Sequence, residues 1–312
     1  MSTATARPFE SNPALTAIAM AYRNGEMIAD QVLPRVPVGR REFKYLVHNL
    51  AEDFTVPDTL VGRKGQVNQV EFGATEATAA CQDYGLEDVI PQDDITNAPP
   101  GYNPKGRAVE GISNLIELDR EVRAANLVFS ATTYPAGYKE TLAGTDQFSD
   151  FDNSSPLTVI AEALDKPIMR PNILVIGQAA WTVLRQHPQI VKAVQGNSGD
   201  AGMASRQQVA EVFELEEVLV GRGWVNTARR GQPANMQRVW GKHLALLHRN
   251  KTADTRQGAT FGMTPQLGGR LAGSWHDRNV GLRGGEVVRA GESVVELITA
   301  SALGYFFENA AA

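Results

Sequence analysis

Cysteine is almost absent. A single one, Cys81, in 312 residues excludes an intrachain disulfide and every metal site built on several thiolates. A lone thiol of this kind reads as a small buried hydrophobe in a chain that folds in a reducing compartment. Histidine is scarce too. His48, His187, His243, His248 and His276 include no pair at the helical i, i+4 spacing that would aim both rings at one metal, and on a strand His243 and His248 fall on opposite faces. The glycine-rich windows near Gly221 and Gly284 lack both glycine arrangements that bring backbone amides onto a phosphate, and neither HExxH nor a G-x-S-x-G elbow occurs. The adjacent acids Asp93 and Asp94 have no partner acid at a fixed spacing, so they read as a solvated turn. The longest apolar stretch, residues 293–307, is interrupted by Glu296 and is too short for a membrane span. The N-terminus has no basic cluster followed by an apolar run, so it does not read as a secretory signal. With 35 acids against 30 bases the net charge is −5, which gives no global attraction to nucleic acid. Arg222, Arg229 and Arg230 form a mild basic cluster, read as a surface loop that pairs with neighbouring acids. No catalytic, cofactor-binding or metal-ligating residue is expected.

What is present is a chain with 43% apolar residues, enough to bury a large core. Its organising element is a long helix predicted over residues 105–131. Ile112, Leu115, Leu118, Val122, Ala125 and Phe129 recur at steps of three and four and would form the buried face, with Glu110, Asn114, Glu117, Glu121 and Asn126 opposite. Ahead of it, Leu33-Pro-Arg-Val-Pro37 ends an amphipathic arm, because two prolines in four residues stop a helix. From Arg41 the period becomes two: Phe43, Tyr45 and Val47 run out, a turn falls around Arg63 and Lys64, and Val67, Val70 and Phe72 return toward Leu86. A two-stranded hairpin is marginal in water, so this one needs a second surface, and another copy of the chain is the economical candidate.

Beyond the long helix, Ser155-Pro156 starts a helix and the apolar run Pro171-Asn-Ile-Leu-Val-Ile-Gly177 reads as a strand buried on both faces. A helix carrying Trp181 follows until Pro188. Ser205 and Gln208 form a capping box for another helix. Strands are predicted at residues 217–222 and 239–248, a glycine-rich loop over 267–285, and closing strands after it. No internal repeat is found.

Four stretches, in this order, resemble the major capsid proteins of tailed bacteriophages, the Hong Kong 97-type fold: the hairpin with its return strand, the long helix, Thr141-Leu-Ala-Gly-Thr-Asp-Gln-Phe-Ser-Asp150 with Ser155-Pro156, and the strand, glycine, helix and break of residues 171–188. The resemblance implies an α+β fold with an N-terminal arm (1–40), an extended loop (41–75), a peripheral domain (76–168, with the spine helix) and an axial domain with closing strands (169–312). It implies a structural protein, not an enzyme, that self-assembles as hexamers and pentamers into an icosahedral virion shell in the host cytoplasm. The shell would enclose double-stranded DNA with weak, non-specific contact, and would not involve a membrane. A separate scaffolding protein is implied, because only about forty residues precede the hairpin, together with a portal and a decoration protein. Phe43, Tyr45, Arg63, Lys64, Val70 and Phe72 become the expected subunit interface. Some members crosslink through a loop lysine; Lys64 stands near the tip, but no catalytic Glu or partner Asn can be matched, so it reads as solvated charge. The alternatives are an encapsulin-like nanocompartment shell and a soluble α/β enzyme with a dispersed active site.

Overall fold

The structure is a computed structural model that describes residues 12–21, 25–47, 56–63, 65–69, 75–196, 202–229 and 231–312. The chain enters through a helix, Pro13–Ala21, started by Asn12, whose Oδ1 accepts from the backbone N–H groups of Ala14 and Leu15. One helical turn, Ala29–Val32, precedes β1 (Arg35–Val38). The hairpin base forms where the period-two pattern predicts it. β2 (Glu42–Val47) pairs antiparallel with β3 (Thr75–Ala80), Glu42 opposite Ala80 and Val47 opposite Thr75. Residues 48–55 and 70–74 lie outside the described residues, and 56–63 and 65–69 contain no strand. Past the buried Cys81 the return strand resumes as β4 (Gln82–Pro91), then a short helix, Gln92–Thr96, leaves Asp93 and Asp94 exposed.

The spine helix runs from Pro104 to Val128. Asn103 caps it by accepting from the Gly106 N–H at 3.1 Å, and Pro104 sits in its first turn, where a missing N–H costs nothing. Its 25 residues span about 37 Å. Its buried face differs from the predicted one. Val109, Ile112, Ile116, Ala124 and Val128 are buried together with Glu117, Arg120 and Glu121, while Leu115 is 53% exposed and Leu118 and Val122 are half-buried. The apolar stripe was mis-phased because the true face contains charges.

After the spine come β5 (Lys139–Thr141), a helix at Pro156–Asp165, and β6 (Ile173–Gly177). Helices Gln178–Leu184, Pro188–Gln195 and Arg206–Val212 lead to β7 (Glu217–Gly221). The last helix has the predicted capping box: Ser205 Oγ accepts from the Gln208 N–H at 3.2 Å, and Gln208 Oε1 from the Ser205 N–H at 2.9 Å. β8 (Trp224–Asn226) and β9 (Met236–Arg238) form a small ribbon. The strand predicted at 239–248 is only β10 (Leu244–Leu247), because Val239 to Lys242 form a turn. β11 (Gly262–Leu267), β12 (Leu271–Asp277), β13 (Gly285–Val294), β14 (Leu297–Ile298) and β15 (Gly304–Glu308) complete the set. β12 lies inside the run expected to be a loop; its flanking glycines mark the turns around it.

Five strands form one sheet in the order β5-β15-β10-β6-β7, with β6 parallel to β7. Period two sends Leu174, Ile176, Leu244, Leu246 and Phe307 into one apolar cluster with Ile160, Trp181 and Val209. Ile173, Val175, Ala245, Leu247 and Phe306 enter the opposite cluster with Ala124, Ala125 and Val128 of the spine. Both faces are covered, which is why the run at 173–177 reads as continuously apolar. Gly221 ends β7 because a Cβ there would lie 2.1 Å from the Trp240 ring.

Six strands form the other sheet, along β1-β11-β13-β12, with β14 on β11 and β4 on β13. β4 and β13 pair over their whole length, from Gln82 opposite Val294 to Pro91 opposite Gly285. One face packs Ile90, Ala272, Val288 and Ala290 on Leu15, Ala19, Val109, Ile112 and Ile116 of the two helices. The other presents Glu87 ion-paired to Arg289, Ser293 donating to Asp83, and an exposed Val89, the alternation of an antiparallel sheet with one wet face.

Candidate functional site

The nearest thing to a catalytic pair is Ser154 with His187, 3.1 Å from Oγ to Nε2. It has no chemistry to perform. Ser154 Oγ donates to the Asp150 carbonyl at 2.6 Å, and His187 Nδ1 accepts from the Gln189 N–H at 3.2 Å, so Nε2 must carry the proton and cannot act as base toward the hydroxyl. Burial holds the ring below its usual pKa, and no part of it reaches solvent. It caps the helix at Pro188–Gln195. His243 Nδ1 likewise accepts from the Asn309 N–H at 3.0 Å. Among the described residues no group of His, Cys, Asp and Glu could hold a metal, and no helix is long and apolar enough to cross a membrane.

The polar groups that converge do so where the arm meets the spine helix and the six-stranded sheet. Glu121 is fully buried, and its carboxylate accepts from the Ile28 N–H at 2.9 Å, the Ala29 N–H at 2.7 Å and the Trp240 indole N–H, capping the turn at Ala29–Val32. Burial raises its pKa above the usual value despite these donors. One residue back, Arg120 pairs with Asp30, donates to the Leu33 carbonyl at 3.2 Å and Thr264 Oγ1 at 3.0 Å, and lies 3.6 Å from Glu296. Burial lowers its pKa to about 10. Glu292 receives Arg35 at 2.7 Å and Arg270 at 3.1 Å. Burial works to raise its pKa, and the two guanidiniums outweigh it, so the carboxyl is held below the ordinary value. The arm is thereby fastened inside its own subunit. Sequence reasoning missed this seam, although one signal was there: Ile112, Ile116, Arg120, Ala124 and Val128 fall at steps of four on one line of the helix.

The expected interface residues divide. Phe43 and Tyr45 are half-buried on β2, Arg63 is exposed, and Lys64, Val70 and Phe72 lie outside the described residues. β2 has β3 on one side; on the other, the Leu46 N–H donates to the Thr255 carbonyl at 3.1 Å, a cover within the same chain that the sequence did not suggest. Toward the tip, Val56, Leu60 and Val67 are 90%, 84% and 74% exposed.

A spine helix bridging two sheets, with a two-stranded antiparallel ribbon between β1 and β4, is the Hong Kong 97-type fold, here without a catalytic centre among the described residues. No family model matches the chain. It is 56% identical to a major capsid protein of Pseudomonas phage JBD67 over 98% of each chain, and 27% identical to a major capsid protein of Burkholderia phage BcepMu over 76% of each. The crystal structure of a phage-related protein from Bordetella bronchiseptica matches it with a TM-score of 0.76 at 20% identity, covering 97% of this chain and 99% of that one. The chain belongs to the family of phage major capsid proteins. It is a structural protein of the virion capsid, and the relatives named favour a phage shell over a cellular nanocompartment.

Proposed function

We propose that the chain builds, as hexamers and pentamers, a closed icosahedral shell around double-stranded DNA, with the hairpin of each subunit lying on a neighbour. The observation that supports this is the hairpin itself. A ribbon of only two strands, tied to the rest of the chain at Leu46 by Thr255, is too weak to stand alone, and Val56, Leu60 and Val67, which lie between its strands in sequence, are left in solvent. Phe43, Tyr45 and Arg63 would face that neighbour, and Lys64, Val70 and Phe72 are assigned to the same surface from sequence.

In this reading residues 1–40 are the arm and 41–75 the extended loop. The peripheral domain is built on the spine helix within 76–168, and the axial domain on the five-stranded sheet within 169–312; β11 to β14 return from the latter range to complete the former. A separate scaffolding protein, a portal and a decoration protein complete the particle, which assembles in the host cytoplasm. Contact with the genome is weak, because a subunit of net charge −5 neutralises few phosphates; duplex DNA should bind at about 10⁻⁴ to 10⁻⁶ M or weaker, without sequence preference. Amide exchange tests the arrangement. Residues 42–47 and 75–80 should exchange fast in the isolated subunit and slowly in particles, and equal protection in both states would overturn it.

A further inference from the structure

The ribbon between β7 and β10 is rich in arginine, of which Arg222 lies 3.9 Å from Glu26 of the same chain. Residues 222–238 contain Arg222, Arg229, Arg230 and Arg238 and no acid, a net +4, which leaves −9 on the rest of a chain whose net charge is −5. Its two strands pair with each other, Trp224 opposite Arg238 and Asn226 opposite Met236, and its described residues between 226 and 237 are exposed except for a half-buried Ala228. At its base Trp224 and Met236 stand 47% and 52% exposed. The Arg238 guanidinium lies 3.9 Å from the centre of the Trp224 ring and donates to the Arg222 carbonyl at 2.7 Å, so the aromatic and the cation are held as one platform. Trp, Arg and Met are the side chains that most enrich protein–protein contact centres.

The complement lies at the other end of the same edge. β7 is the outer strand of its sheet and five residues long, roughly 16 Å. The arginine ribbon leaves from its C-terminal end. At its N-terminal end Glu214, Glu216 and Asp165 are all exposed; they and Glu217 pair with Arg170 and Arg249, and four carboxylates against two guanidiniums leave that end acidic. The edge therefore has a positive and a negative end.

We propose that the arginine ribbon at 222–238 docks on the acidic end, around Asp165, Glu214 and Glu216, of a second copy of this chain. The contact rests on the shell reading, and joins two different patches, the kind that closes subunits into a ring. A nucleic acid is the weaker occupant, because the guanidinium of Arg238 already covers one face of Trp224 against base stacking and Met236 adds apolar surface that a phosphate cannot use.

Charge reversal tests it. Arg222→Glu with Arg229→Glu, and separately Glu214→Lys with Glu216→Lys, should each cut the yield of sedimenting particles at least about tenfold, while the subunit, which loses only exposed ion pairs, still unfolds in one cooperative thermal transition close to that of the unaltered chain. All four substitutions combined in one chain should restore particles, since reversed ribbon then meets reversed patch at every contact, in five-membered rings as in six-membered ones. Trp224→Ala, at an exposed site, should lower the yield independently. Wild-type particle yield from the arginine variant, or no rescue in the chain carrying all four substitutions, overturns the contact; particles of normal yield that merely retain less DNA assign the ribbon to the genome. Failure of the unaltered chain to form particles would instead overturn the shell reading beneath it.

Discussion

Around the five-stranded sheet the positions from Ile173 to Gly177 are buried on both faces among apolar side chains, whereas the spine helix, the arm and the six-stranded sheet bury, beside the apolar cluster around Ile112, the charged side chains of Arg120, Glu121, Glu292 and Glu296. Apolar burial is non-directional and scales with area. Buried charges cost desolvation and repay it in one geometry only. Apolar burial thus supplies stability in both regions, and the charges of the second also specify how three separate pieces of chain are set against each other. A seam of this kind loses most when half of it is removed.

The largest expected effects set the two regions side by side. Phe307→Ala should cost about 3–5 kcal/mol, read as a lower denaturant midpoint for the whole subunit. Arg120→Met takes a buried donor from the Leu33 carbonyl and Thr264 Oγ1 and leaves Asp30 to Arg35 and Glu296 to Arg123, so it should cost about 1–3 kcal/mol, with exchange accelerating at Ile28 and Ala29 while Leu244–Leu247 keeps its protection. Uniform stabilisation by Arg120→Met would erase the distinction. A smaller contrast lies within one helix. Ile116, 6% exposed, should cost about 2–4 kcal/mol when changed to Ala, and its neighbour Leu115 no more than about 0.5 kcal/mol.

The smallest effect is with acid. Glu292 is held below its ordinary 4.5, so its stabilisation is fully present above that value and is lost as pH falls through the lower folded one. Glu121 runs the other way: burial raises it above 4.5, and protonation relieves a cost. Glu292→Gln should therefore flatten the acid-side fall in stability measured by denaturant titration. An unchanged slope would remove Glu292 from the seam's acid response.

The parts legible in the sequence are those where one local rule acts alone. The apolar run at 173–177, the Ser205 capping box and the alternation of Phe43 and Tyr45 each needed no knowledge of distant partners. The spine helix was legible in place and length but not in phase, since Arg120 and Glu121 read as solvent-facing until the arm and Trp240 that satisfy them are known. β12 was hidden because its glycine neighbours speak louder than the pairing with β13 that makes it a strand. Of the expected interface, the sequence located the base of the hairpin but could not foresee Thr255 beside Leu46.

The register of β4 on β13 sets the timing of synthesis. Glu87 and Arg289 are 202 positions apart, and at ribosomal speeds of about 5–20 residues per second roughly 10–40 s pass between the emergence of one strand and the other. During that interval β4 has no β13 to pair with and the spine helix lacks the sheet it packs on. A chain ending before Val294 therefore lacks the strand that pairs with β4 and the sheet on which Val109, Ile112 and Ile116 pack, so the subunit core is completed only by its last part.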